Sequence, residues 1–164
     1  MKKVMFAGLC LAAAASAQTK ISGTGKCGKP DKEQAIEVGD RAGHIIAMAQ
    51  ESCTWTAPFE MAGIKAKSYT GTIVSDISGA KSSDRGYVVV NMENGDKAIV
   101  RINQGTSRIG KEGKPESGEG TWTYVGGTGK FNGLTGKGTY KSKAAGDSME
   151  DQIEGEYTLA AGKS

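Results

Sequence analysis

The run Val125-Gly126-Gly127-Thr128-Gly129-Lys130-Phe131-Asn132-Gly133-Leu134, followed by Gly136, Gly138 and Tyr140, constrains this chain more than any other feature. A β-rich segment ending in Trp122 and Tyr124 enters a turn punctuated by glycine and leaves directly into another β-rich segment. Glycine supplies backbone angles and close approaches that a Cβ would block. The pattern reads strand–turn–strand. Its glycines lack the G-x-G-x-x-G spacing, and no helix follows to complete a dinucleotide-binding unit.

The rest of the chain after residue 18 reads the same way. Short runs rich in Val, Ile, Thr and Tyr alternate with Gly, Ser, Asn and Asp clusters, the signature of an all-β sandwich or barrel. The expected strands are 19–27, 35–38, 43–56, 66–77, 85–93, 97–104, 117–125, 135–143 and 150–159. No apolar stripe of period 3.6 is long enough for a substantial helix, although residues 58–67 leave room for one turn. Residues 107–118, with their Gly, Lys, Glu, Pro and Ser, read as a mobile surface loop.

Asn94-Gly95 predicts a two-residue type I′ hairpin. That register pairs Met92 with Lys97 and Val90 with Ile99, placing Tyr87, Val89, Ala98, Val100 and Ile102 on one face. Both faces are then apolar, so the hairpin is expected to be covered on its outer side too, by a loop, a helical turn or another subunit. The C-terminal strands alternate more cleanly. Trp122, Tyr124, Gly138, Tyr140, Ile153, Gly155 and Tyr157 fall on one side, with Thr, Lys and Glu on the other. A sheet with one aromatic face needs a second layer or closure on itself.

Lys2 and Lys3, the apolar run from Val4 and the small residues Ala15-Ser16-Ala17 describe a secretory leader. Cleavage after Ala17 leaves residues 18–164 as a single domain, periplasmic or secreted. The rival is a lipoprotein acylated at Cys10, disfavoured by Leu9 in the preceding position. Removing two lysines from 21 basic against 18 acidic residues leaves a nearly neutral chain. There is no basic stripe for nucleic acid, and no second apolar run of membrane length. Cys27 and Cys53 remain, an even count that reads as a disulfide in an exported protein.

The segment Gly126-Gly127-Thr128-Gly129-Lys130-Phe131, with Gly133, resembles a late turn of the barrel family of plant allene oxide cyclases and dirigent proteins, which also has bacterial relatives. The resemblance spans residues 117–160. It implies an antiparallel barrel of about eight strands with an apolar lumen open at one end, often trimeric, whose chemistry is done mostly by shape. The family's lumen glutamate and aspartates have no counterpart here with a matching local motif.

Other chemistry is thinly represented. His44 is the single histidine, which excludes a multi-histidine metal site, and no nucleophile motif accompanies it. It reads as a surface or loop-end residue. Gly105, Gly110 and Lys111 imitate a phosphate-binding loop, but Glu112 stands where the magnesium-binding hydroxyl belongs. Asp76, Glu93 and Asp96 lie near strand ends with no sign of convergence. Trp122, Tyr124, Tyr140 and Tyr157 read either as ordinary barrel core or as the wall of an apolar ligand pocket. The Lys, Thr and Glu face argues against an outer-membrane barrel.

The sequence therefore predicts an exported β-barrel that binds a small apolar ligand or serves as an interaction module, without metal or cofactor, and with room for a homo-oligomer. The alternatives are a cofactor-independent cyclase or isomerase barrel and a structural envelope protein with a filled interior.

Overall fold

The computed structural model describes residues 18–160. The leader, its cleavage site and Cys10 lie outside the described residues. Ten strands follow in order: β1 (Thr19–Cys27), β2 (Lys32–Glu37), β3 (His44–Ala57), β4 (Glu60–Met61), β5 (Ile64–Ser78), β6 (Lys81–Met92), β7 (Lys97–Ile109), β8 (Pro115–Gly127), β9 (Thr135–Ala145) and β10 (Ser148–Thr158). Eight of them close an antiparallel barrel in the ring β3-β1-β10-β9-β8-β7-β6-β5, with β5 returning to β3. Closure removes free edges from the ring. Outside it, β2 pairs with the first half of β3, and β4 is a short arm on β5.

The C-terminal strands follow the expected alternation. Lys137 opposes Glu156, Lys143 opposes Glu150, and Lys20 opposes Glu156 from the other side, so the outer face is held by complementary charge. Their aromatic and aliphatic residues face inward. No helix among the described residues is long and apolar enough to cross a membrane.

Three local expectations are corrected. At the β6–β7 turn, Gly95 N–H donates to Met92 O at 3.0 Å and Met92 N–H donates to Asp96 O at 2.9 Å. Only Gly95 has positive φ there, at 87°. This is a three-residue loop with a glycine bulge, not a type I′ turn. Asn91 consequently pairs with Lys97 and Val90 with Ala98, one residue from the expected register. The shift carries Val88, Val90 and Met92 inward beside Ala98, Val100 and Ile102, and turns Tyr87 out to solvent. Residues 107–118 are not a free loop: β7 and β8 continue through them as a paired hairpin as far as Ile109 and Pro115. Residues 58–67 hold no helical turn but the β4–β5 hairpin, reversed at Ala62 and Gly63 with φ of 51° and 75°.

The glycine-rich turn plugs one end of the barrel. A single 3₁₀ turn, Gly129–Phe131, drives Phe131 into a site with no exposed surface, beside fully buried Leu134, Met61, Met92 and Ala98. Thr128 Oγ1 accepts from Lys97 N–H at 2.9 Å, and Asp96 Oδ2 accepts from Lys130 N–H at 3.1 Å, tying the plug to the β6–β7 turn.

Candidate functional site

Between the plug and the opposite end, where the β5–β6, β7–β8 and β9–β10 turns lie, the barrel holds a half-open cavity of about 260 Å³. Its aromatic wall comes from Trp55, Phe59, Tyr69, Trp122, Tyr124 and Tyr140. Trp55 stacks on Tyr69 with ring centres 4.4 Å apart and meets Phe59 edge-on at 5.0 Å. Trp122 meets Tyr124 edge-on at 5.0 Å and donates its Nε1 hydrogen to Thr139 O at 3.0 Å.

Glycines on the neighbouring strands make room for these rings. A Cβ on Gly155 would lie 2.6 Å from Trp122 Cη2, and one on Gly120 would lie 2.7 Å from Tyr140 Cε1. Both are closer than van der Waals contact allows, so the rings rest directly on bare backbone. That is one role of the glycines scattered through β8, β9 and β10.

Of the four aromatic residues singled out in the sequence, Trp122, Tyr124 and Tyr140 border the cavity. Tyr157 is buried but stands apart from it, with its hydroxyl accepting from Ala62 N–H at 2.9 Å beside the plug. Burial raises the Tyr124 hydroxyl pKa, reinforced by Tyr157. Burial pushes Tyr140 up to about 12, reinforced by Asp84 and Asp151.

The sequence reading did not anticipate three carboxylates in the same cavity: Glu51 on β3, Asp84 on β6 and Asp151 on β10. Asp151 accepts from Tyr69 Oη at 2.7 Å and from Ser142 Oγ at 2.5 Å. Asp84 accepts from Ser82 Oγ at 2.7 Å and from Ser107 Oγ at 2.5 Å. Glu51 has no such donors. Burial first, then the charges of Asp151 and Asp31, push its carboxyl up to about 7. By contrast Glu93 is exposed, Asp96 serves the β6–β7 turn, and Asp76 bonds His44 outside the lumen.

His44 sits at the start of β3, clamped between Asp40 Oδ1 at 2.5 Å and Asp76 Oδ1 at 2.9 Å. Both ring nitrogens face carboxylates, which raises its pKa, chiefly through Asp40. It takes no part in the cavity. Cys27 and Cys53 oppose each other in the β1–β3 register, with Cα atoms 4.3 Å apart, and are joined as a disulfide. The bridge lies in the wall against Tyr69, whose hydroxyl is 3.4 Å from Cys27 Sγ.

Trp55 contributes one further feature. Its Nε1 is buried and has no hydrogen-bond partner among the described residues.

Comparison with solved structures places this architecture. The pterocarpan synthase dirigent protein PsPTS1 superposes with a TM-score of 0.52 at 12% identity, over 89% of this chain and 97% of that one. A second, GePTS1, gives 0.50 at 12% identity, over 93% and 92%. A pyocyanin demethylase gives 0.44 at 11% identity, over 84% and 99%. No protein-family model matches the sequence, and no curated protein matches it. The barrel is thus dirigent-like in fold.

Proposed function

We propose that this chain is an exported, single-domain β-barrel that binds a small, mainly apolar ligand in its lumen. The observation that carries this reading is the cavity of about 260 Å³, walled by aromatic and aliphatic side chains. Its walls present apolar surface that an apolar occupant covers better than water does. A barrel serving only as scaffold would gain by filling it. The leader in residues 1–17 and the Cys27–Cys53 bridge both support export to the periplasm or beyond.

The second reading, a cofactor-independent cyclase or isomerase, is favoured by Glu51. A carboxyl with a pKa of about 7 inside the cavity can both give and take a proton near neutrality. Native mass spectrometry of protein purified from its own host tests the first reading. A bound mass lost on denaturation supports it, and incubating the released molecule with fresh protein separates binder from enzyme. A converted product favours the enzyme; unchanged molecule favours the binder. Ligand-free protein that no small aromatic molecule stabilises would return the barrel to a structural role.

The outer surface supports a further partner. Ile36 on β2, Ile46 and Met48 on β3 and Tyr87 on β6 are exposed. Ile36 pairs with Ile46 across the two strands. We assign this face to a second copy of the chain, to be checked by the mass of the species in the same native spectra.

A further inference from the structure

The lumen contains three carboxylates, Glu51, Asp84 and Asp151, and its wall includes no Lys, Arg or His among the described residues. Carboxylates withdrawn from water are stable when a positive charge or several donors answer them. Asp84 and Asp151 each have two hydroxyl donors, and Glu51 has none. Asp84 and Asp151 lie toward the end away from the plug, and Glu51 lies midway along β3. Asp84 is the fourth residue of β6 and Asp151 the fourth of β10, each close to the turn that opens its strand. The aromatic surface of Trp122 and Tyr124 lies deeper, toward the glycine-rich turn. The cavity is therefore apolar toward the plug and carries Asp84 and Asp151 toward its other end, with Glu51 between.

A second observation is independent of the acids. The tilted stack of Trp55 on Tyr69 offers π faces beside Asp151, and such faces attract cations.

Building on the lumen-ligand reading above, we propose that the ligand is an amphipathic cation: an apolar body with one positively charged nitrogen, held by the carboxylates and the Trp55–Tyr69 faces. Glu51 then links binding to pH. The groups facing it are Asp151 on β10, Asp31 before β2, Tyr69 on β5 and the Cys27–Cys53 bridge. None carries positive charge. A bound cation favours the ionised form of Glu51, so its affinity rises as pH passes through about 7.

The test uses three benzoate esters with one body and different heads. These are the quaternary choline ester, its uncharged carbon isostere the dimethylbutyl ester, and the anionic sulfonatoethyl ester. Each is titrated calorimetrically into the oxidised mature protein at about pH 5 and about pH 8. The choline ester should bind at least about tenfold tighter than its isostere at the higher pH, and the sulfonate should bind weakest. Only the choline ester should lose affinity at the lower pH, and Glu51→Gln should remove that dependence. The indole N–H resonance of Trp55 should shift on binding. If the uncharged ester binds as tightly as the cation, or the sulfonate binds best, the cation inference is overturned while the lumen-ligand reading stands. If no ester binds, the cation inference falls, and the lumen-ligand reading falls with it only if the native spectra also show no bound mass.

Discussion

The Tyr69 hydroxyl on β5 donates to Asp151 Oδ2 on β10 across the lumen at 2.7 Å. The two strands are not neighbours in the barrel, since β3 and β1 stand between them. The bond therefore spans the interior and does not follow the sheet. Removing the hydroxyl alone tests its weight. Tyr69→Phe keeps the ring against Trp55 and should cost about 1–3 kcal/mol in urea denaturation. The same change at exposed Tyr87 should cost nothing measurable.

The disulfide closes a loop with a sequence separation of 26 and joins β1 and β3, two neighbouring strands of the ring. Replacing both cysteines with alanine should lower stability by roughly 2–4 kcal/mol. Thiol titration of unreduced, unfolded mature protein should find no free thiol; two free thiols would show that the bridge does not form.

Glu51 makes stability depend on pH. Its carboxyl is raised from 4.5 to about 7, mainly by burial, so the folded chain holds this proton more tightly than the unfolded chain. Between those values the folded state binds more protons, and stability falls as pH rises, levelling off above about 7. Glu51→Gln should accordingly be more stable than wild type by about 1–3 kcal/mol at about pH 8, and little different at about pH 4. An equal effect at both values would contradict the burial of this carboxyl.

His44 responds in the same direction through a different cause. Its pKa is raised by Asp40 and Asp76, so its ion pairs hold below the unfolded value of 6.5 and are lost as pH rises through the higher folded value. Titration of its ring resonances by NMR should give a midpoint above 6.5. Asp40→Asn should bring that midpoint down. An unshifted midpoint in both proteins would rule out the clamp.

Much of the barrel is legible because its strands alternate. The two-residue spacing of Trp122 and Tyr124, and of Gly138 and Tyr140, states which face is dry, and the structure turns that face inward. The register at Asn94-Gly95 differs from the expected one because a bulge adds one residue, and side-chain alternation has period two. Glu51 was within reach of the same logic: it shares an alternation face with Cys53 and Trp55, and a disulfide half-cystine is a strong sign of an inward face. Asp151 shares its face with Ile153 and Tyr157 in the same way. Asp84 keeps the alternation of Val88, Val90 and Met92 on β6, but both faces of that strand are apolar near the turn, so the pattern does not state which face is inward. Convergence of three strands distant in sequence is a property of closure, which no local pattern states.

The central claim is that the barrel interior is a receptive cavity, and the chain offers a direct reporter of it. Its two tryptophans, Trp55 and Trp122, both border that space. Tryptophan fluorescence titrated with nitrobenzyl alcohol, a neutral aromatic quencher, therefore reads lumen occupancy. The account predicts saturable quenching with one site per chain, weakened at least about tenfold by Val88→Phe, which narrows the cavity wall without adding a fluorophore that reports in its place. Quenching that rises linearly without saturation, with the slope seen for the unfolded chain or equally in both proteins, would contradict it.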